Sequence, residues 1–245
     1  MPMHLETPIA PETLTWRRRQ EAPALGPGDL HLWRISTSAQ GDNGDEALAA
    51  DLDLLDQGQR LRAQRLTRQA VRARYVRAQA ALRRILGLYL DGSHPASLVF
   101  RYGPAGKPAL ENAPPGFELN LTTTGDLALL GISHGDALGV DCERIRPRTG
   151  VVAIARRMFD PAQAEAIATL PEDAALVTFY RCWTALEADA KSDGRGLFRP
   201  RPPGARPPEI RHCMPAPGYV AAVARARVPP LGAWQTLELA TGPGV

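Results

Sequence analysis

An amphipathic pattern over residues 59–90 constrains the fold of this chain more than any other feature. Apolar or small residues recur there every three or four positions, at Val71, Tyr75, Ala78, Leu82, Ile85 or Leu86, and Tyr89. This spacing puts them along one face of a helix, and such a face is normally buried against other elements. The pattern therefore predicts one long helix over 59–90 with a domain core built on it.

Arginines occupy most of the opposite face of this predicted helix. Nine of them lie between Arg60 and Arg84. We interpret them as a solvated face, with an anion-binding face for phosphate or an acidic partner as the alternative. The formal charge of the whole chain is only +3, which does not indicate a nucleic-acid partner. Because arginine supplies nearly all of the positive charge, the two lysines, Lys107 and Lys191, stand out.

Several short strands and two more helices follow from the rest of the sequence. The candidate strands cover residues 31–36, 97–102, 117–121, 127–133, 138–145, 210–214, 219–228 and 234–240, and the candidate helices cover 150–169 and 174–192. Because 127–133 and 138–145 flank the turn-forming sequence His134-Gly135-Asp136, we expect them to form a hairpin. The order of elements predicts an α+β fold, with an irregular lead-in over 1–29 and two halves over 30–135 and 136–245.

The composition is that of a globular protein in a reducing compartment. Hydrophobic residues make up 44% of the 245 residues, which is enough for a packed core. No apolar run reaches the roughly 18–20 residues that a membrane span needs, and the first residues lack the pattern of a secretory signal. The three cysteines are far apart and none lies in a Cys-x-x-Cys pair, so we expect reduced thiols and a cytoplasmic location.

Two carboxylates in the segment Gly139-Val140-Asp141-Cys142-Glu143 form a candidate metal site. Alternate side chains of a strand share a face, so Asp141 and Glu143 would project together while Cys142 faces the other way. Like charges this close repel each other unless a cation or a proton lies between them. Oxygen ligands suit a hard ion such as Mg²⁺, although two solvated acids on a surface strand would give the same pattern.

Each of the two lysines lies in a candidate site element. Glu187 and Lys191 are four residues apart on the predicted helix over 174–192, so their side chains meet on one helix face. They form either an ordinary surface ion pair or a third metal-binding carboxylate with a phosphate-binding lysine beside it. Lys107 lies in a turn-rich segment over 103–108, where a fixed point charge suits a phosphate.

Taken in chain order, these three elements resemble the motifs of the Sfp-type 4'-phosphopantetheinyl transferase superfamily. The matching segments are Gly106-Lys107-Pro108, Gly139-Val140-Asp141-Cys142-Glu143 and Trp183-Thr184-x-x-Glu187-Ala188-x-x-Lys191. The resemblance extends from about residue 31 to residue 223, which is most of the chain. It implies a pseudo-dimer of two similar α+β halves, each a small antiparallel sheet packed on a long helix, with the active site in the cleft between them.

Members of this superfamily move the phosphopantetheine arm of coenzyme A onto a serine of an acyl or peptidyl carrier protein, and the large members act as monomers. The resemblance implies the same reaction here, with Asp141, Glu143 and Glu187 holding Mg²⁺ together with the coenzyme A pyrophosphate. It implies that Glu187 also helps to deprotonate the carrier serine, directly or through a water, and that Lys191 neutralises charge on the transferred phosphate. Neither a membrane nor a nucleic acid is expected as a partner.

The resemblance also implies a set of residues that contact the nucleotide part of coenzyme A. These are Lys107, Arg68, Thr122 and Thr123. The two threonines belong to the segment Asn120-Leu121-Thr122-Thr123-Thr124, which stands where the family has Asn-x-Ser-His-Ser. We expect this segment to line the nucleotide site near the 3'-phosphate.

Three positions depart from the family pattern and leave two alternatives open. Thr123 replaces a histidine, Leu186 replaces a lysine, and Gln79 replaces an arginine. A threonine donates a hydrogen bond but carries no charge, so part of the positive charge around the nucleotide is missing. The chain is therefore either an active transferase, or a repurposed or non-catalytic relative that binds a carrier protein or another pantetheine compound.

Overall fold

Six α-helices and ten β-strands form the part of the chain that the computed structural model describes, residues 12–38, 44–90 and 93–240. The helices α1 to α6 run over Gly44–Asp53, Gln57–Arg65, Gln69–Tyr89, Val151–Met158, Pro161–Thr169 and Glu172–Ser192. The strands β1 to β10 run over Arg17–Arg19, Leu30–Ser36, Phe100–Tyr102, Pro108–Leu110, Phe117–Thr124, Leu127–His134, Gly139–Arg144, Glu209–Cys213, Tyr219–Arg225 and Gln235–Leu239. The predicted α+β class is confirmed.

The strands form two main sheets and one small hairpin. The larger sheet has five strands in the order β1-β10-β2-β6-β5, and the smaller has three in the order β7-β9-β8. Strand β10 runs parallel to both β1 and β2, whereas all other neighbouring strands in the two sheets are antiparallel. Strands β3 and β4 pair only with each other within the described ranges. The edge strands β5 and β7 lie next to each other, so the two sheets meet there.

Side-chain alternation along the strands sets the order of the layers. In β6, Leu127 and Leu129 pack with Val140 of the smaller sheet, while Ala128 and Leu130 pack with helix α3. The larger sheet therefore lies between α3 and the smaller sheet. Helix α6 covers the far side of the smaller sheet, against β7 and β9. This order of helix, sheet, sheet and helix places β7 between the larger sheet and α6.

The single helix predicted over 59–90 is in fact two helices, α2 and α3, with a break at residues 66–68. The fully buried Arg83 accounts for the break, because its guanidinium donates to Gln59 at 2.7 Å and to Asp56 at 2.5 Å. In one continuous helix, Gln59 and Arg83 would lie about 36 Å apart at about 1.5 Å per residue. Helix α2 must therefore fold back over α3. The amphipathic pattern marks the buried face of α3 from Ala78 onward, but not this break.

The helical segment predicted over 150–169 also consists of two helices, α4 and α5. The carboxylate of Asp160 accepts a hydrogen bond from the Gln163 N–H at 2.9 Å, and Pro161 follows it. This N-cap and the proline start a new helix at that point. The helix predicted over 174–192 is confirmed as α6. Within the described ranges, none of the helices combines the length and the apolar character that crossing a bilayer requires.

The hairpin predicted around His134-Gly135-Asp136 is wrong. Both flanking segments are strands, but β6 pairs with β2 and β5, whereas β7 pairs with β9. The buried Arg225 of β9 fixes the connection by donating to the carbonyl oxygens of His134, at 2.7 Å, and Gly28, at 2.8 Å. The chain therefore leaves the larger sheet at His134 and enters the smaller sheet at Gly139.

Segments from both ends of the described chain take part in the larger sheet. Strand β10 inserts between β1 and β2, although it lies in the half predicted over 136–245. Strand β1 belongs to the segment predicted as an irregular lead-in over 1–29, and the indole N–H of Trp16 just before it donates to the Pro215 carbonyl oxygen at 3.0 Å. The division into two halves stays a prediction. If it holds, β10 of the second half completes the sheet of the first half and connects the two.

Strand β7 and helix α6 approach each other backbone to backbone at Gly139. A Cβ added to this residue would lie 1.9 Å from the carbonyl oxygen of Ala188 and 2.6 Å from the nitrogen of Ser192. Atoms cannot come this close, so a side chain at position 139 would push α6 away from β7. Gly139 therefore sets the distance between the strand that carries Asp141 and the helix that carries Glu187.

We expect Gly139→Ala to lower the free energy of unfolding by about 3 kcal/mol or more, the upper end of the cost of overpacking a core. The matched control is Gly232→Ala, because a Cβ at Gly232 meets no atom within 4 Å among the described residues. The control should change stability by less than about 1 kcal/mol. Urea unfolding followed by circular dichroism measures both variants. Equal effects of the two substitutions would contradict the close approach.

Candidate active site

Strand β7 presents alternate side chains to the core and to helix α6. Val140 and Cys142 point into the core between the two sheets, where burial raises the pKa of the Cys142 thiol well above its usual value. Asp141 and Glu143 occupy the intervening positions and project from the other face, the side covered by α6. The predicted pairing of the two acids on one strand face therefore holds in the fold. Cys142 remains a core residue.

Helix α6 brings Glu187 and Lys191 to the face of β7 that carries Asp141. The Lys191 ammonium nitrogen lies 2.5 Å from Asp141 Oδ1 and 3.3 Å from Glu187 Oε2. One cationic group thus contacts two carboxylates that are 46 residues apart in the chain, one on the smaller sheet and one on the helix that covers it. The convergence of Asp141, Glu187 and Lys191 is the central feature of the candidate site.

Burial and charge shift the titration of this cluster. Asp141 is only 3% exposed, and burial raises its pKa to about 6, although the Lys191 ammonium opposes the shift. The neighbouring carboxylates of Glu187 and Glu143 add to the increase. Burial by itself lowers the pKa of Lys191, but the carboxylates of Asp141 and Glu187 outweigh it and raise that pKa above its usual value. Lys191 therefore carries a positive charge at neutral pH.

Strand β5 supports the acids of β7 through three alternate polar side chains, which we call the β5–β7 seam. The contacts of the seam are the Val140 N–H to Asn120 Oδ1 at 2.7 Å, Thr122 Oγ1 to Asp141 Oδ1 at 3.0 Å, and Thr124 Oγ1 to Glu143 Oε2 at 2.9 Å. The two edge strands are thus joined by side-chain hydrogen bonds in place of backbone hydrogen bonds. Each acid of β7 therefore has a threonine hydroxyl that fixes its orientation.

The donors of this cluster fit a hard divalent cation. All three acids offer carboxylate oxygens, the ligands that Mg²⁺ prefers. The buried Asp141 Oδ2 has no hydrogen-bond partner among the described residues, which leaves one oxygen available for a ligand. Within the described ranges, however, no group of three or more His, Cys, Asp or Glu side chains is arranged as a metal site. The Lys191 ammonium instead lies between Asp141 and Glu187.

The residues predicted to contact the nucleotide lie in different environments. Thr122 is buried and orients Asp141, as described above. Thr123 is exposed and points from the opposite face of β5. Arg68 is exposed at the N-cap of α3. The Lys107 ammonium contacts protein groups, the carbonyl oxygens of Leu138 and Ser192. The structure thus brings Thr122 into the acid cluster and does not join these four residues in one group.

Gln79, which stands where the family has an arginine, has a structural role. Gln79 Oε1 accepts a hydrogen bond from the Gln59 side chain at 2.8 Å, and Gln59 in turn accepts one from Arg83. Gln79 therefore helps to hold α2 on α3. Leu186 is partly buried next to Glu187 on α6.

The sequence predicts residues 120–124 as part of the nucleotide site, but it does not reveal the contacts of Asn120, Thr122 and Thr124 with β7. The predicted strand over 117–121 ends before Thr122 and Thr124, so the alternation of Leu119, Asn120 and Leu121 gives only part of the signal. Period-two alternation of polar and apolar residues indicates two different faces. Which polar partners the first face meets depends on the neighbouring sheet, and the local sequence does not contain that information.

Comparison with known proteins identifies the family of this chain. The family model described as the 4'-phosphopantetheinyl transferase superfamily matches residues 137–212, which contain Asp141, Glu143, Glu187 and Lys191. The 4'-phosphopantetheinyl transferase HetI of Nostoc sp. is 33% identical over 187 residues, which cover 76% of this chain and 77% of that protein. The 4'-phosphopantetheinyl transferase AcpT of Salmonella typhimurium is 38% identical over 99 residues, or 40% of this chain and 50% of AcpT. A 4'-phosphopantetheinyl transferase of Bacillus subtilis is 28% identical over 109 residues, or 44% of this chain and 47% of that protein.

The identity and coverage shared with HetI establish the family. The chain belongs to the 4'-phosphopantetheinyl transferase superfamily. It is an enzyme of the 4'-phosphopantetheinyl transferase class, and the resemblance drawn from the three sequence motifs is confirmed.

We expect Lys191→Met to lower the free energy of unfolding by about 1–3 kcal/mol in buffer that contains a chelator. The substitution leaves the buried Asp141 carboxylate without its cation, and an unsatisfied buried group of this kind carries a cost of that size. Chemical unfolding in EDTA measures the loss.

The control for this variant is Arg101→Met, which breaks a pair with Glu111 whose side chains are 69% and 39% exposed. Exposed pairs contribute about 0–1 kcal/mol, so this loss should be small. If Lys191→Met were no more destabilising than Arg101→Met, Lys191 would not be the cation that the two carboxylates need.

Proposed function

We propose that this protein transfers the 4'-phosphopantetheine arm of coenzyme A to a serine of an acyl or peptidyl carrier protein in an Mg²⁺-dependent reaction. The single observation that supports it best is the convergence of Asp141 and Glu187 on the Lys191 ammonium. Membership of the superfamily supports the type of reaction, and the acid cluster supports a cation at the reacting phosphates.

In this proposal Asp141, Glu143 and Glu187 would hold Mg²⁺ together with the pyrophosphate of coenzyme A. When bound, the ion would neutralise negative charge on the phosphate oxygens. Two observations support this assignment. Asp141 Oδ2 is buried without a hydrogen-bond partner among the described residues, and the threonine hydroxyls of the β5–β7 seam orient Asp141 and Glu143. The Lys191 ammonium contacts both Asp141 and Glu187, so it would compensate their charge beside the ion and would bind the phosphate from there.

Glu187 and Lys191 have separate roles in the transfer. Glu187 accepts the proton of the carrier serine, directly or through a water. The serine oxygen then forms a bond to the β-phosphorus of coenzyme A, and the bond from that phosphorus to 3',5'-ADP breaks. Lys191 keeps its proton, because its pKa is raised, and its charge stabilises the transferred phosphate. Catalysis in this scheme consists of positioning and charge neutralisation.

The direct test is the intact mass of an apo carrier protein after incubation with this protein, coenzyme A and Mg²⁺. We expect the carrier to gain the mass of one phosphopantetheine group. We expect Glu187→Gln to lower the rate by at least about 100-fold, the usual size of the effect of removing a general base. Glu165→Gln, an exposed site on α5, is the matched control and should leave the rate unchanged.

Two results would contradict the proposal. If acyl and peptidyl carriers gained no mass but still bound the protein, the chain would be a binding relative without transferase activity. If Glu187→Gln transferred the group as fast as the wild-type protein, the proton acceptor would lie elsewhere. A chelator should abolish the transfer, and added Mg²⁺ should restore it.

A further inference from the structure

The ammonium group of Lys107 joins the β3–β4 hairpin to the elements that carry the acids. Lys107 directly precedes β4, and its nitrogen donates to the carbonyl oxygens of Ser192 at 2.8 Å and Leu138 at 3.0 Å. Glu118 Oε2 lies 3.5 Å away as a third acceptor. An ammonium has three N–H donors, and these three acceptors use all of them.

The two carbonyl oxygens belong to the two segments that form the acid cluster. Ser192 is the last residue of α6, the helix of Glu187 and Lys191, and Leu138 directly precedes β7, the strand of Asp141. Both segments also touch at Gly139. A cation at the carboxyl end of a helix is favoured, because unpaired carbonyl groups carry partial negative charge there. Lys107 therefore joins the two segments at the point where they are closest.

The turn that contains Lys107 also packs on the loop that follows α6. A Cβ added to Gly194 would lie 3.6 Å from Lys107 Cδ, and one added to Gly196 would lie 3.2 Å from Ala105 Cβ. Both glycines have positive φ angles, +68° at Gly194 and +79° at Gly196. The loop thus lies against the stem of the lysine side chain, which is 18% exposed. The contact is therefore a packed interface between two turns, in which the lysine side chain is largely buried.

We propose that Lys107 is a positioning residue for the transfer reaction: it holds α6 at the distance from β7 that Gly139 allows, and so keeps Asp141 and Glu187 together. This role replaces the nucleotide contact that the resemblance implies for Lys107. Burial lowers the pKa of Lys107, and the Glu118 carboxylate opposes this shift only in part. The proposal rests on the proposed function in its kinetic test alone, since the other two tests are independent of any activity.

The first test labels the wild-type protein. Because the chain has only two lysines, reductive methylation followed by peptide mass spectrometry reports on Lys107 separately from Lys191. We expect Lys107 to react at least about tenfold more slowly in the folded than in the unfolded protein, since its donors are engaged. Coenzyme A, at a concentration that lowers hydrogen exchange in at least one peptide, should leave that rate unchanged. Strong protection of Lys107 by coenzyme A would overturn the proposal.

The second test compares hydrogen exchange in Lys107→Met and in the wild-type protein. We expect amides of the last turn of α6 and the start of β7 to exchange about tenfold faster in the variant, because a hydrogen-bonded tie between them is lost. Arg101→Met on the same hairpin is the control, and it should leave both segments unchanged. Unchanged exchange at α6 and β7 in a folded Lys107→Met would overturn the proposal.

The third test separates binding from turnover. We expect Lys107→Met to lower kcat by about 10- to 100-fold, the size expected from a small misplacement of catalytic groups. KM for coenzyme A should stay within about twofold. A raised KM with an unchanged kcat would instead identify Lys107 as a nucleotide ligand. If the wild-type protein itself transferred nothing, the proposed function would fail, while labelling and exchange would still decide the role of Lys107. Should Lys107→Met not fold, the labelling of the wild-type protein decides alone.

Discussion

The contact of one ammonium group with two carboxylates from different layers is the interaction on which the candidate site depends. Asp141 is buried on β7, between the larger sheet and α6, where an uncompensated negative charge is costly, and Lys191 supplies the compensation. Glu187 lies one helical turn before Lys191, so the same nitrogen reaches both acids. Strand and helix are thus coupled by charge as well as by packing, and the fold keeps two acids together near a cation.

Three separate features hold this arrangement in place. The β5–β7 seam orients Asp141 and Glu143 from the side of the larger sheet. Gly139 allows α6 to approach β7 backbone to backbone. Lys107 contacts both segments at the same point from the β3–β4 turn. The acids are therefore fixed from the sheet side, from the helix side and from the end of the helix. Preorganisation of this kind is what a reaction that works by positioning and charge neutralisation requires.

The sequence predicts the helices and strands better than it predicts how they pair and pack with one another. Period-two alternation correctly puts Asp141 and Glu143 on one face of a strand, and helical spacing correctly pairs Glu187 with Lys191. The α+β class and helix α6 follow from the same periodicities. The break between α2 and α3 does not, because it depends on the buried contact of Arg83 with residues more than twenty positions away. The pairing of β7 with β9 fails for the same reason, since a local turn signal contains no information on distant strands.

The most direct test of a shared cation site is the binding of Mn²⁺, a spectroscopic substitute for Mg²⁺, measured by electron paramagnetic resonance. We expect one bound ion per chain with carboxylate ligands in the wild-type protein. Asp141→Asn and Glu187→Gln should each weaken its binding by at least about tenfold, because each removes one charged ligand. If both variants bound Mn²⁺ as tightly as the wild-type protein, Asp141 and Glu187 would not form one cation site.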